Sequence, residues 1–335
     1  MTRVLQLLGP STGGIRRHVA FLAEQLEGRG WSSPVAGPDG PDARVPVGGI
    51  RTVAAARAAL AAAAESADLV HAHGLKAGWI AATLRFRPPL VVSVHNLVLD
   101  EAAGVAAPAL RLLEGRLPGR ADATIAVSEE VARRFTGLPG AGRITVVPPA
   151  GPPPVPTRSA ADVRADLGIA DGERLLVTAA RLHPQKGLDV LAAAVAHLDG
   201  VRAVVFGEGP SRPAGLELAG PRPSIADELA AADVVVIPSR WESGPLVLFE
   251  AMQLGRPVVT TAVGAAPELV LDGETGRIVP VGDAAALAAA IEATLADPEG
   301  AHAMAEAGRR RVAERFGAAA LVGAVEAGYR EVLGR

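Results

Sequence analysis

Six of the nine residues at 148–156 are proline. Proline fixes φ and lacks an amide donor, so neither a central strand nor a helix interior can run through this stretch. It predicts a stiff connector, and it divides the 335-residue chain into two pieces of ordinary domain size. On both sides, short apolar runs alternate with segments of helical period. Before the connector, 4–8, 68–74, 89–96, 121–128 and 144–147 read as strands, with a short one near the start of 31–52. After it, 174–179, 201–206, 234–238, 257–261 and 275–279 do the same. Three helices, 283–296, 300–316 and 318–333, finish the chain. Two sets of βα units predict an α/β protein with two doubly wound, Rossmann-like domains facing across a cleft.

Composition narrows the classes. No cysteine is present, so there is no disulfide framework and no thiolate metal site. No apolar run reaches the ~18 residues needed to span a bilayer. The chain enters a strand at once, without a signal-peptide pattern, and a cytoplasmic protein is expected. The net charge of −3 is unevenly spread. Residues 1–150 hold 16 Lys/Arg against 12 Asp/Glu, and 151–335 hold 17 against 24. A mildly basic first half favours an anionic acceptor, or peripheral contact with the inner membrane face. No nucleic-acid partner is expected.

Residues 240–252 carry the densest chemical signal. An apolar strand leads into Glu242-Ser243-Gly244-Pro245, and a helix reads from 246 to 254. Pro245 suits a helix start. The free amides at the helix start can hold an anion there. Glu242 and Glu250 bracket the turn with seven residues between them. A phosphate flanked by two hydroxyl-bearing groups fits that spacing, and a nucleotide sugar is such a ligand. Two solvated glutamates on a strand-loop-helix unit fit it too. Arg181 and Lys186 share the turn after strand 174–179, where they would converge on a diphosphate or form a solvated basic turn.

Other positions carry weaker signals. Gly13-Gly14, at the first strand-to-helix turn, lets backbone approach a bound group or makes a plain tight turn. It is not a dinucleotide fingerprint. Gly207-Glu208-Gly209-Pro210 ends another strand. His95 stands at a strand's carboxyl end, where ligands of open α/β sheets collect. His18, one turn into a helix, reads as structural. His71 and His73 share one side of a strand, but no third metal ligand is spaced near them. One of the two is expected to line a cleft.

Together these motifs resemble a family 4 retaining glycosyltransferase of GT-B fold. The matching pieces are Gly13-Gly14 with His18, His95, Arg181 with Lys186-Gly187, Gly207 to Pro210, and Glu242 through Glu250-Ala251-Met252. The resemblance implies an acceptor-binding domain over 1–152 and a donor-binding domain over 153–316. It implies a helix over 317–335 that crosses back onto the first domain. It gives Arg181 and Lys186 the donor diphosphate, Glu250 the ribose and Glu242 the sugar hydroxyls. Gly244, Pro245, Leu246 and Val247 would surround the phosphate, with Gly13 and Gly14 approaching it. His95 would contact the sugar, Arg222 would lie near the base, and Gly207 would border the nucleotide. No cofactor and no metal are implied. The donor is expected to be a UDP-sugar before a GDP-sugar, and the acceptor a small molecule, glycan or lipid. The chain departs from the family at Pro148-Pro149-Ala150-Gly151, where Asn-Gly is common, and at Pro245, often glycine. A catalytically silent nucleotide-sugar-binding subunit and a sugar-nucleotide epimerase are the competing readings.

Overall fold

A computed structural model describes residues 1–11, 13–98 and 104–334. Thr12, in the glycine turn, lies outside them. The chain divides into two compact units, Met1–Pro152 with Phe316–Arg335, and Pro153–Arg315.

The first unit holds a seven-stranded parallel sheet in the order β3-β2-β1-β4-β5-β6-β7. Its strands are β1 (Val4–Leu8), β2 (Val35–Gly37), β3 (Ala43–Arg44), β4 (Leu69–His73), β5 (Leu90–Val94), β6 (Ala123–Ala126) and β7 (Ile144–Val146). β1, β4 and β5 are buried along their whole length, as near-continuous apolar runs in a parallel sheet should be. The exceptions are polar: Gln6, His71, His73 and Ser93 are all buried. The two-residue β3 carries no apolar run, and the sequence pattern does not announce it. The helix Ala107–Arg116 is equally unannounced, since most of its residues are exposed.

The helix Ala318–Val332 belongs to this unit. Leu321, Val322, Val325 and Tyr329 join a core with Val4, Leu22, Leu69 and Val91. Buried Glu326 accepts hydrogen bonds from Trp31 Nε1 at 2.7 Å and Arg29 at 3.0 Å. Ala150, inside the proline-rich connector, is also buried here.

The second unit holds a six-stranded parallel sheet, β10-β9-β8-β11-β12-β13. The strands are β8 (Arg174–Ala179), β9 (Val201–Phe206), β10 (Glu217–Gly220), β11 (Val234–Ile237), β12 (Val258–Thr261) and β13 (Arg277–Val279). β10 lies between 206 and 234, where no strand is expected from the sequence. Its four residues are only half-buried, so no apolar run marks them. The strand order reverses direction between β8 and β11, and such a switch opens a crevice at the strands' carboxyl ends. Among the described residues, no helix is long and apolar enough to cross a membrane.

Candidate active site

Adjacency of β8 and β11 brings their following loops together. Lys186 Nζ pairs with Glu242 Oε1, although 56 residues separate them. The two side chains are 14% and 11% exposed. Water screens such a pair weakly, so either charge would be costly to leave without the other. Ser239 Oγ donates a second bond to Glu242 Oε1 at 2.9 Å.

Backbone contacts lock the two loops. The Arg240 amide donates to Gln185 O at 2.8 Å, and Gln185 Nε2 to Trp241 O at 2.9 Å. The Arg240 guanidinium grips both Asp189 carboxylate oxygens, each at 2.6 Å. That hydrogen bonding holds the Asp189 carboxyl below its usual range. Gly187 sits in the left-handed region at φ 62°, and a Cβ there would strike the Pro238 carbonyl oxygen. Only glycine allows this approach.

Pro245 is the cap residue of the helix Leu246–Gln253, not its first turn, and its side chain provides no capping bond. The amides of Leu246 and Val247 therefore fall where an α-helix offers no intrahelical acceptor. Glu250 is buried, 5% exposed, in the body of that helix. Arg181 is exposed on the turn that carries Lys186. Gly207 is occupied with packing: a Cβ on it would collide with the Ala180 carbonyl. Exposed Arg222 lies over the Phe206 ring at 5.0 Å and bonds Glu228 at 3.0 Å.

In the first unit, the candidate residues gather at the carboxyl ends of β4 and β5. Exposed Gly13 caps the helix Gly14–Glu27. Four of the chain's seven histidines are buried together there: His18, His71, His73 and His95. Neither His71 nor His73 lines an open cleft, contrary to the sequence expectation. At 0% and 3% exposure, both are sealed into a polar network. His73 Nδ1 meets His95 Nε2 at 3.0 Å, and His73 Nε2 meets Gln6 Oε1 at 2.9 Å. His71 bonds the Tyr329 hydroxyl at 2.6 Å and Ser93 Oγ at 2.7 Å. His18 Nδ1 bonds the Ala150 carbonyl at 2.8 Å.

Burial sets their charge. It pushes His71 down to about 3, with further repulsion from His18. It holds His73 and His95 well below the ordinary range, with neighbouring histidines adding to the effect. His18 is lowered by burial and partly restored by the Ala150 carbonyl. All four are neutral at pH 7, so each ring has one donor nitrogen and one acceptor.

Sequence reasoning did not find Ser239, Gln6, Ser93 or Tyr329. A signal existed for two of them. Gln6 is the one polar residue in an apolar strand, and Tyr329 is the chain's only tyrosine. Lysine carried a signal as well: the chain has two, Lys76 and Lys186, in an arginine-rich background.

Known proteins agree with this architecture. Residues 12–150 match the family model described as Glycosyltransferase Family 4. Residues 173–297 match Glycosyl transferases group 1. A D-inositol 3-phosphate glycosyltransferase from Xylanimonas cellulosilytica is 36% identical over 75% of this chain and 68% of its own length. One of the same name from Mycobacterium tuberculosis is 35% identical over 80% of this chain and 62% of its own. The chain thus spans about two thirds of the length of these relatives. Sucrose-phosphate synthase from Thermosynechococcus elongatus superposes with a TM-score of 0.85 at 25% identity, covering 99% of each chain. Anabaena Alr3699/HepE in complex with UDP-glucose gives 0.85 at 21% identity, over 99% of this chain and 100% of its own, and shows the fold alone. The two parallel sheets, the two matched family models and the relatives agree: the chain belongs to glycosyltransferase family 4 and is a transferase of the GT-B type.

Proposed function

We propose that the chain moves a hexose-type sugar from a nucleoside-diphosphate sugar to a separate acceptor, with retention at the anomeric carbon and without a metal. The observation that carries this reading is the loop junction between β8 and β11. There Lys186, Glu242 and the start of the helix Leu246–Gln253 share one switch point. The departing diphosphate gains negative charge as the glycosyl bond breaks. Cations and helix amides aimed at it stabilise that transition state above the ground state. Lys186 is held by Glu242, and an arriving diphosphate competes for the ammonium. The exchange leaves the Glu242 carboxylate to accept from sugar hydroxyls. Arg181 adds the second cation. Gly244, Pro245, Leu246 and Val247 supply the phosphate's backbone partners, Glu250 takes the ribose and Arg222 borders the base. Gly13, Gly14 and His95 keep the roles implied by the family resemblance.

UDP is the expected nucleotide before GDP, as the family resemblance implies. The name of the relatives makes D-inositol 3-phosphate the first acceptor to assay. Retention follows from same-face attack, in which the leaving phosphate oxygen takes the acceptor's proton. The test incubates the protein with UDP- and GDP-sugars, with and without acceptor and chelator. Release of nucleoside diphosphate that survives chelation, with a product of unchanged anomeric configuration, is expected. Nucleotide binding without any release would mark a silent subunit instead.

A further inference from the structure

The buried histidine network has a direction. His73 Nε2 faces Gln6 Oε1, an oxygen that can only accept, so this nitrogen carries the His73 proton. His73 Nδ1 then holds a lone pair, and His95 Nε2, 3.0 Å away, must donate to it. The remaining nitrogen of His95, Nδ1, is left as an acceptor. Gln6 in turn is held from its other end. Its amide nitrogen donates to Ser33 Oγ at 3.0 Å and to the Tyr329 hydroxyl at 3.2 Å. Tyr329 is then free to donate to His71 Nδ1, and His71 Nε2 to Ser93 Oγ. Each of these contacts then has one donor and one acceptor. Turning the Gln6 amide over reverses every proton and puts the His95 proton on Nδ1.

We propose that Gln6 is a positioning residue that, through His73, fixes the His95 proton on Nε2 and presents Nδ1 as a hydrogen-bond acceptor. A ring nitrogen of that kind accepts from a hydroxyl group, the chemistry common to a sugar and its acceptor. The helix Ala318–Val332 takes part, because Tyr329 is one of the two groups that accept from the amide nitrogen. His18 is set separately by the Ala150 carbonyl, which can only accept from Nδ1. The use of Nδ1 in turnover rests on the proposed sugar contact of His95. The tautomer does not.

The test reads ring nitrogens by 15N–1H correlation in histidine-labelled protein, where protonated and bare nitrogens resonate far apart. In the wild type, His95 should show a protonated Nε2 and a bare Nδ1, and His73 the same pattern. The opposite pair would overturn the assignment, and this measurement needs no variant. In Gln6→Met, which keeps the volume and removes both bonding atoms, the His95 signals should move to averaged positions while His18 stays unchanged. A His95 pattern identical to wild type in the folded variant would also overturn it. Turnover by Gln6→Met should fall about tenfold, the worth of one lost hydrogen bond, with KM little changed. Shifted tautomers with unchanged turnover would uphold Gln6 as the positioning residue and remove His95 from the reaction.

Discussion

The two units place polar groups at equivalent positions, beside the strand-order switch of a parallel sheet, and charge them in opposite ways. The first unit buries four neutral histidines with Gln6, Ser93 and Tyr329. The second sets a cation against an anion, Lys186 against Glu242, in loops that retain some exposure. Desolvation explains the difference. A fully buried imidazole gives up its proton, because a charge in an apolar interior costs several kcal/mol. A partly wet ammonium keeps its charge when a carboxylate faces it. One region orients hydrogen bonds, and the other, in the proposed function, answers a charge that develops during reaction.

Acid should separate the two most strongly. His71 has a folded value of about 3 against an ordinary 6.5, so the unfolded chain binds its proton first as pH falls. Its contribution is complete above pH 6.5 and is lost below it, by about 1.4 kcal/mol per pH unit down to about 3. His18, His73 and His95 shift in the same direction and add to the loss. The urea midpoint should fall between pH 7.5 and 5.5, with His71 alone removing about 1.4 kcal/mol of stability over that interval. Midpoints unchanged over that interval would mean the histidines are already charged in the fold.

Lys186→Ala comes next. Turnover should fall at least tenfold, about 1.4 kcal/mol or more, and the melting temperature should fall too, because Glu242, 11% exposed at its side chain, loses its counter-charge. Unchanged turnover in a folded variant would make the Lys186–Glu242 pair a structural fastening, and the contrast between the units would vanish. The smallest effect is expected for Arg240→Ala. Its partner Asp189 has a side chain 65% exposed, so stability should change by about 1 kcal/mol or less in a denaturation curve. A larger loss would show that the clamp between the two loops bears on how Lys186 is held.

The repeat of apolar strands made the α/β class readable. β8 and β9 match their sequence-read limits because both are long apolar runs. β3 and β10 escaped notice because short, half-buried edge strands carry no such run. The charged site was legible for a related reason. Glu242, Arg181 and Lys186 lie on strand-to-helix loops and Glu250 in the apolar helix that follows, where a charged residue stands out against its flanks. The histidine network was only half legible. His71, His73 and His95 mark strand ends, but Tyr329 comes from a helix 258 residues beyond His71. No local pattern records that meeting.

The sequence by itself determined the alternation of elements, the break at the prolines and the residue types offered at each strand end. These follow from backbone sterics and hydrophobic period, which act over a few neighbours. Only the tertiary structure decided which offers were joined. Strand order put β8 beside β11 and so gave Lys186 its carboxylate. Packing of the last helix gave Gln6 and His71 a common hydroxyl. Burial then chose neutral rings in one unit and a preserved ion pair in the other, because the free energy of a charge depends on how much water the finished fold leaves beside it.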